Sequence, residues 1–403
     1  MCDKTSVLCP RMKTLRALDD LLNALARNAA LPDELAEATP PQIYTSPDFL
    51  ELELDEIFNR EWFCVGREDE FKNSGDYRAT KIGRDASIVL RDRQGVLRAM
   101  SNICRHRMST LLNGSGNLNG RISCPYHAWT YDLEGRLIGA AYMRDNFDKK
   151  AVCLPQFQVE VWQGWVYVSL DAKADALAPR LVKLSERLEN YQLSQYRTLF
   201  RAEEIWDTNW KILVQNFTEG YHLFVAHAKT IEPAMPTKLA NAMHGGNGFS
   251  LYEQGRVAGK SYEHNSYVAV KNDALTEDEK MKAVLSAVFP CHVFSVVAER
   301  LFWLSLQPHG TDQVNVFWGV DVYPGAAPND PDELAAFIAE LKAGFDRINN
   351  EDKPIISEIV KNARALAAAP GRLSPKERTV WYFQKYLANM LCNHQDKSLK
   401  VRQ

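Results

Sequence analysis

Four residues in two short stretches have the chemistry to hold a metal cluster between them. Cys104 and His106 stand in the run C-R-H, and Cys124 and His127 in the run C-P-Y-H. Each stretch offers one thiolate and one imidazole. Two Cys on one iron and two His on the other would make a [2Fe–2S] electron-transfer centre whose potential the imidazoles raise. Zinc is the competing occupant, but structural zinc usually draws its ligands from C-x-x-C and H-x-x-x-H blocks, not from blocks that mix the two types. Residues 107–123 separate the pairs and include Gly114, Gly116 and Gly120, which allow the second loop to fold back over the first.

A second constellation lies in N-W-K-I-L-V-Q-N-F-T-E-G-Y-H-L-F-V-A-H, which starts at Asn209 and holds Asn216, Glu219, Tyr221, His222 and His227. A lone His on a helix is usually packing; two His with an acid three residues before the first is a stronger signal. Glu219 and His222 are one helical turn apart and would share a face. His222 and His227 would point about 140° apart on an ideal helix, so a helix must end or widen between them if both bind one metal. An oxygen-activating non-haem iron takes two imidazoles and one carboxylate and keeps positions open. Within this stretch only Glu219 offers the carboxylate. Asn216 and Tyr221 fall where polar groups could orient the ligands, or where ordinary packing would place them.

With these motifs in view the sequence resembles the Rieske proteins. The Rieske subunits of respiratory complexes are the poorer match, since they carry an extra Cys in each loop and a membrane anchor. Here Arg105, Arg107, Met108, Pro125 and Tyr126 fill the loops, and no apolar run approaches the length of a bilayer span. The closer resemblance, from residue 44 onward, is to the large (alpha) subunits of the ring-hydroxylating oxygenases, in which Arg107 and Trp129 also match common positions. It implies an α+β protein: an N-terminal all-β Rieske [2Fe-2S] domain, then a helix-grip (START-like) α+β catalytic domain. It implies His222 and His227 as ligands of a mononuclear Fe(II). The acid at the Glu219 position is implied to reach a cluster-ligand His of the neighbouring subunit and to carry an electron across the interface. The third iron ligand is then sought in R-I-N-N-E-D-K-P-I-I-S-E-I-V-K-N, which resembles the family's late E-D stretch and gives the role to Asp352. Glu351 and Glu358 remain alternatives, and Pro354 would equally make Asp352 a helix cap and end a continuous helix there.

Three segments must position these groups. In residues 1–43, Leu15, Leu18, Leu22 and Leu25 mark a helix over Arg11–Asn28, followed by a Pro-containing connector. In residues 44–175, Ser46 and Pro47 start a helix whose buried face is expected to be Leu50, Leu54, Ile57, Phe58 and Trp62. Short strands follow at Tyr77–Ile82, Ala86–Arg91, Val96–Met100, Trp129–Asp132, Gly135–Ile138 and Val159–Ser169. In residues 176–403 the pattern predicts a helix over Pro179–Tyr196 and strands at Thr198–Trp206, Tyr267–Val270, Val293–Val297, Phe302–Pro308 and Gln313–Tyr323. A long helix from Asp330-Pro331 to Asn350 follows, then more helix to Ala368 and a last one over Pro375–Cys392. Phe289, Phe294, Phe302, Trp303, Phe317 and Trp318 read as core, with about a quarter of them facing a pocket.

The 403 residues and 46% hydrophobic content suit a two-domain globular protein. A net charge of −3 gives no reason to expect nucleic acid or an acidic membrane as partner. The eight Cys form no framework beyond the motif pair and no signal peptide is evident, so a reduced, cytoplasmic setting is expected. Gly245-Gly246-Asn247-Gly248 precedes no apolar helix, so no dinucleotide motif is present. Electrons from NAD(P)H are therefore expected through a ferredoxin and/or flavin reductase. The leading expectation is the terminal oxygenase component of such a system, a homotrimer using O2 to hydroxylate a small aromatic compound in aromatic hydrocarbon catabolism. The first alternative is monooxygenation or N-demethylation of a quaternary ammonium compound (betaine-, carnitine- or choline-like), because Glu at the 219 position is seen in the branch that resembles choline monooxygenase and carnitine oxygenase. A second is a Rieske electron carrier without oxygenase activity, holding cluster iron alone.

Overall fold

The computed structural model describes residues 10–260 and 272–392; the expected strand Tyr267–Val270 lies outside them. The architecture is α+β. A seven-stranded sheet built from Phe63–Arg67, Trp165–Ser169, Gln156–Trp162, Leu97–Ser101, Asp85–Arg91, Asp76–Ile82 and Ser115–Asn117, in that spatial order, forms the N-terminal part. A three-stranded sheet of Ile122–Ser123, Thr130–Tyr131 and Leu137–Gly139 stands beside it and frames the second Cys/His stretch. The C-terminal part is a second seven-stranded sheet, ordered Arg197–Trp206, Val314–Val322, Arg300–Pro308, His292–Val296, Lys282–Val288, Phe249–Gly255 and Ala240–Ala242, every pairing antiparallel. Against it pack the helices Trp210–Thr218, Pro331–Asn362 and Arg378–Cys392.

Several elements depart from what the pattern predicts. Val159–Ser169 is two strands joined at Gln163 and Gly164, whose φ of 51° and 81° are those of a tight hairpin turn. Pro179–Tyr196 is one α-turn pair, Val182–Leu188, between short 3₁₀ segments; Gln192 in the left-handed region (φ 54°) breaks it. The strands Phe249–Gly255 and Lys282–Val288 were not apparent in the sequence, and they are buried on nearly every residue. The late helix neither stops at Asn350 nor is capped by Asp352. It runs unbroken from Pro331 to Asn362, started by Asp330, whose Oδ1 accepts Asp332 N–H at 3.0 Å and Glu333 N–H at 3.1 Å. Pro354 sits inside it, tolerated because the helix is held on both sides of that point by packing of Phe345, Ile348, Ile356 and Val360.

The helix Pro47–Glu53 opens as expected, with Ser46 Oγ accepting Phe49 N–H at 3.2 Å. It then widens into a π-turn over Leu54–Phe58, which rotates the buried face: Phe49, Glu53, Ile57, Phe58 and Trp62 are buried, whereas Leu50 and Leu54 are only partly so. Glu53 is thereby carried into the core with 0% exposure. Lys211, 1% exposed, meets it at 2.7 Å, and Trp210 Nε1 donates to its Oε2 at 3.0 Å. This ion pair fastens the leading helix to the start of the helix that carries Asn216. Removing one partner of such a pair leaves a buried charge alone, which costs about 3–5 kcal/mol. Lys211→Met should lower unfolding free energy by that order in a denaturant titration, and the double variant with Glu53→Leu should regain most of the loss. A single variant that unfolds at the wild-type midpoint would contradict the coupling.

Candidate metal centres

The two Cys/His stretches fold into the same loop twice. Cys104 N–H donates to Ser109 O at 2.9 Å and Met108 N–H to Cys104 O at 3.1 Å; Cys124 N–H donates to Trp129 O at 2.8 Å and Ala128 N–H to Cys124 O at 3.1 Å. Met108 and Ala128 occupy corresponding positions and both take φ 56°, a left-handed conformation that non-glycine residues adopt at some cost. The repeat holds although one stretch spaces its ligands C-x-H and the other C-x-x-H. Both sulfurs are buried, while His106 and His127 are exposed with ring centroids 4.7 Å apart. Trp129 stacks on His106 at 4.7 Å and 10°. Burial pushes the Cys124 thiol up, but the backbone N–H groups of Tyr126 and His127, with Cys104 and Ser109, more than offset it and hold the thiol below its usual range. Two buried sulfurs and two outer imidazoles are the donor set that a [2Fe–2S] cluster with unlike ends requires. Tyr131 Oη lies 3.3 Å from Cys104 Sγ and accepts Arg105 N–H at 3.1 Å, so its own proton is directed at the sulfur.

The second site is assembled from two segments. The helix Trp210–Thr218 begins at Asn209, whose side chain caps Lys211 N–H at 3.0 Å, and ends before Glu219, which is extended (φ −121°, ψ 159°). A separate single turn, Leu223–Ala226, is flanked by His222 at its start and His227 at its end. Glu219 and His222 therefore do not share a helical face. They meet because the Glu219 carboxylate folds over the turn, accepting the N–H groups of Tyr221 and His222 and contacting His222 Nδ1. Gly220 is required there: a Cβ would lie 1.9 Å from the Tyr252 hydroxyl oxygen.

His222, His227 and Asp352 each bring one donor atom within 4.8 Å of the others. Asp352 Oδ1 stands 3.1 Å from His227 Nε2 and 3.9 Å from His222 Nε2 and is buried and otherwise unpartnered. The opposite ring nitrogens are taken: His222 Nδ1 by Glu219, and His227 Nδ1 by Glu351 Oε2 at 2.7 Å, which Thr230 Oγ1 in turn holds at 2.5 Å. Burial would pull both imidazoles down, but Glu219 and Asp352 around His222, and Asp352 and Glu351 around His227, outweigh it and hold both above the ordinary imidazole value. Two Nε2 atoms and one carboxylate oxygen, converging on one point and with carboxylates behind each ring, fit a divalent metal. Glu351 thus lies behind His227, and Glu358 pairs with Lys361 on the surface. The Tyr221 ring is half exposed against Phe224, with centroids 5.8 Å apart. Asn216 lines the cavity beside the metal site, and so do Trp206, Phe217, Tyr252, Phe302 and Phe345. Of the six aromatics expected in the core only Phe302 reaches this cavity; its ring stacks on Phe345 at 4.4 Å and 12°.

Glu219 also borders a groove on the other side, lined by Thr39, Gln215 and Glu377. Burial raises the Glu377 carboxyl above its usual range, and the nearby Glu219 adds to that. Glu377, Asn349 and Tyr252 were not visible as site residues in the sequence, because nothing in their spacing links them to the His pair.

A two-loop Cys/His site with buried sulfurs and exposed imidazoles, followed by a two-histidine, one-carboxylate site in an α+β domain, fits a two-centre iron protein of the oxygenase type. Residues 61–158 match the Rieske [2Fe-2S] domain, and residues 184–393 match the ring hydroxylating alpha subunit (catalytic domain). The chain belongs to the ring-hydroxylating oxygenase alpha-subunit family, and a Rieske [2Fe–2S] cluster and a mononuclear iron are its cofactors. It is 30% identical over 299 residues to the carnitine monooxygenase oxygenase subunit of Acinetobacter pittii (strain PHEA-2), covering 73% of this chain and 77% of that one. It is 31% identical over 239 residues to the anthranilate 1,2-dioxygenase large subunit of Acinetobacter baylyi, covering 57% and 51%. A solved quaternary ammonium Rieske monooxygenase has the same fold, with a TM-score of 0.78 at 24% identity over 91% of this chain and 98% of that one. Among the described residues no helix is long and apolar enough to cross a membrane.

Two outcomes are expected from the groups behind the ligands. Glu351→Gln should weaken iron retention against a chelator about 10–100-fold, the usual effect of losing the carboxylate behind a ligand histidine. Tyr131→Phe should lower the cluster midpoint potential by about 40 mV, one hydrogen bond of about 1 kcal/mol on a one-electron couple, read by redox titration of the visible spectrum.

Proposed function

We propose that the protein is the terminal oxygenase component of a Rieske system that monooxygenates a quaternary ammonium compound. Cys104, His106, Cys124 and His127 hold the cluster, and His222, His227 and Asp352 hold the iron. The observation that carries this reading is the convergence of the two Nε2 atoms and Asp352 Oδ1 at the wall of a cavity lined by aromatic rings. The iron supplies oxygen activation when bound. The chain itself fixes both imidazoles through Glu219 and Glu351, shields the site with Phe302 and Phe345, and leaves room beside the ligands for a small organic molecule. Rings that face such a cavity suit a trimethylammonium head as well as they suit an aromatic substrate. The kinship with a carnitine monooxygenase subunit and the Glu at position 219 favour the former over the small aromatic compound expected at first.

Electrons come from a separate reductase or ferredoxin. Glu219, between the iron cavity and the outer groove, is suited to pass an electron from a neighbouring subunit's cluster, with assembly as a homotrimer. Asn216 lies beside this route.

Metal analysis tests the oxygenase reading. About three irons and two acid-labile sulfides per chain are expected, falling to two irons in His222→Ala. Two irons in both proteins would leave an electron carrier only. Oxygen uptake with NAD(P)H and a surrogate reductase tests the substrate class: turnover should be coupled to product from quaternary ammonium compounds, and product from aromatic compounds alone would overturn it.

A further inference from the structure

We propose that the cavity beside His222 and His227 takes a small organic cation that carries a neutral oxygen and no carboxylate, and that Asn349 donates the hydrogen bond to that oxygen. This rests on the quaternary ammonium reading above and narrows it.

Charge is the first argument. Among the described residues that line the cavity none is Lys or Arg, whereas Glu219 and Asp352 are acids. Glu351 stands directly behind His227. A divalent metal held by neutral imidazoles would face three carboxylates, leaving one negative charge in excess. A substrate carboxylate entering here would lose its water with no side-chain cation to replace it and with like charges beside it. A cation would be attracted. Arg300, 5.2 Å from the Phe345 ring, is buried, does not line the cavity and is engaged by another contact.

Shape and hydrogen bonding supply the second. Phe302 lies stacked on Phe345 at 4.4 Å and tilted against Phe217 at 5.9 Å, a compact apolar wall against which the methyl groups of an ammonium head can pack. Asn349 is on the stripe of the long helix that carries Phe345 and Asp352, one turn from each. It is 7% exposed, lines the cavity, and its Nδ2 is buried with no hydrogen-bond partner. An amide nitrogen donates and does not accept, so the ligand atom it suits is an oxygen such as an alcohol or carbonyl. The cavity suits a ligand with a positive head, an apolar flank and one neutral acceptor.

The test compares ligands on the holoenzyme by calorimetry and by reductase-coupled oxygen uptake. The probes are choline (a cation with a hydroxyl), tetramethylammonium (a cation without oxygen), glycine betaine (a zwitterion) and benzoate (an anion). Choline should bind at least about tenfold more tightly than glycine betaine. Asn349→Leu should weaken choline about five- to tenfold while leaving tetramethylammonium within about twofold. Glycine betaine binding as well as choline would overturn this inference and leave the quaternary ammonium reading standing. An equal loss for choline and tetramethylammonium in Asn349→Leu would reduce Asn349 to a packing residue and remove it from the proposal. Binding and turnover of benzoate with none for any cation would overturn the underlying reading itself.

Discussion

Everything in the catalytic half follows from one geometric requirement: two imidazoles only five residues apart must aim at one point. A continuous helix would splay them by about 140°. The chain resolves this by ending one helix at Thr218, running extended through Glu219, and giving the two histidines a single turn of their own. An interruption of that kind exposes backbone groups in a partly buried place, and those groups need partners. Glu219 provides them, and it orients His222 with the same carboxylate. The third donor then has to come from elsewhere, and the long helix, packed against the helix Trp210–Thr218, delivers Asp352.

The two halves solve their metal problems differently. The cluster site is local: two loops with one backbone plan, each closed by its own pair of hydrogen bonds, needing little from the rest of the chain. The candidate iron site is non-local, with the proposed donors at positions 222, 227 and 352 held by a sheet and three helices. The buried Glu53–Lys211 pair links these halves, since it anchors the leading helix of the N-terminal part to the first turn of the helix that ends at Glu219.

That contrast explains what was legible in the sequence. Local constellations could be read directly: the Cys/His pairs come together and the Asp330-Pro331 helix start holds, while Glu219 does meet His222, though across a turn and not on a shared helical face. Strands buried on both faces could not, because Phe249–Gly255 and Lys282–Val288 show no alternation of apolar and polar residues. The hairpin at Gln163-Gly164 carries the same dipeptide as the turn at Gln94-Gly95, but the apolar residues on either side hid it. Pro354 argued for a helix end that packing overrides. Asn349 and Glu377 had no sequence signal, for they join the site only through tertiary packing.

The placement of Glu219 has a consequence for genetics. Its carboxylate accepts two backbone N–H groups and contacts a ligand imidazole at once. A neutral replacement therefore changes the hydrogen bonding of the turn as well as the proposed electron route. Loss of activity in such a variant would not by itself separate the proposed electron route from a displaced His222 imidazole. Metal content and activity therefore have to be read together for any substitution at this position, because one carboxylate serves the backbone turn and the imidazole alike.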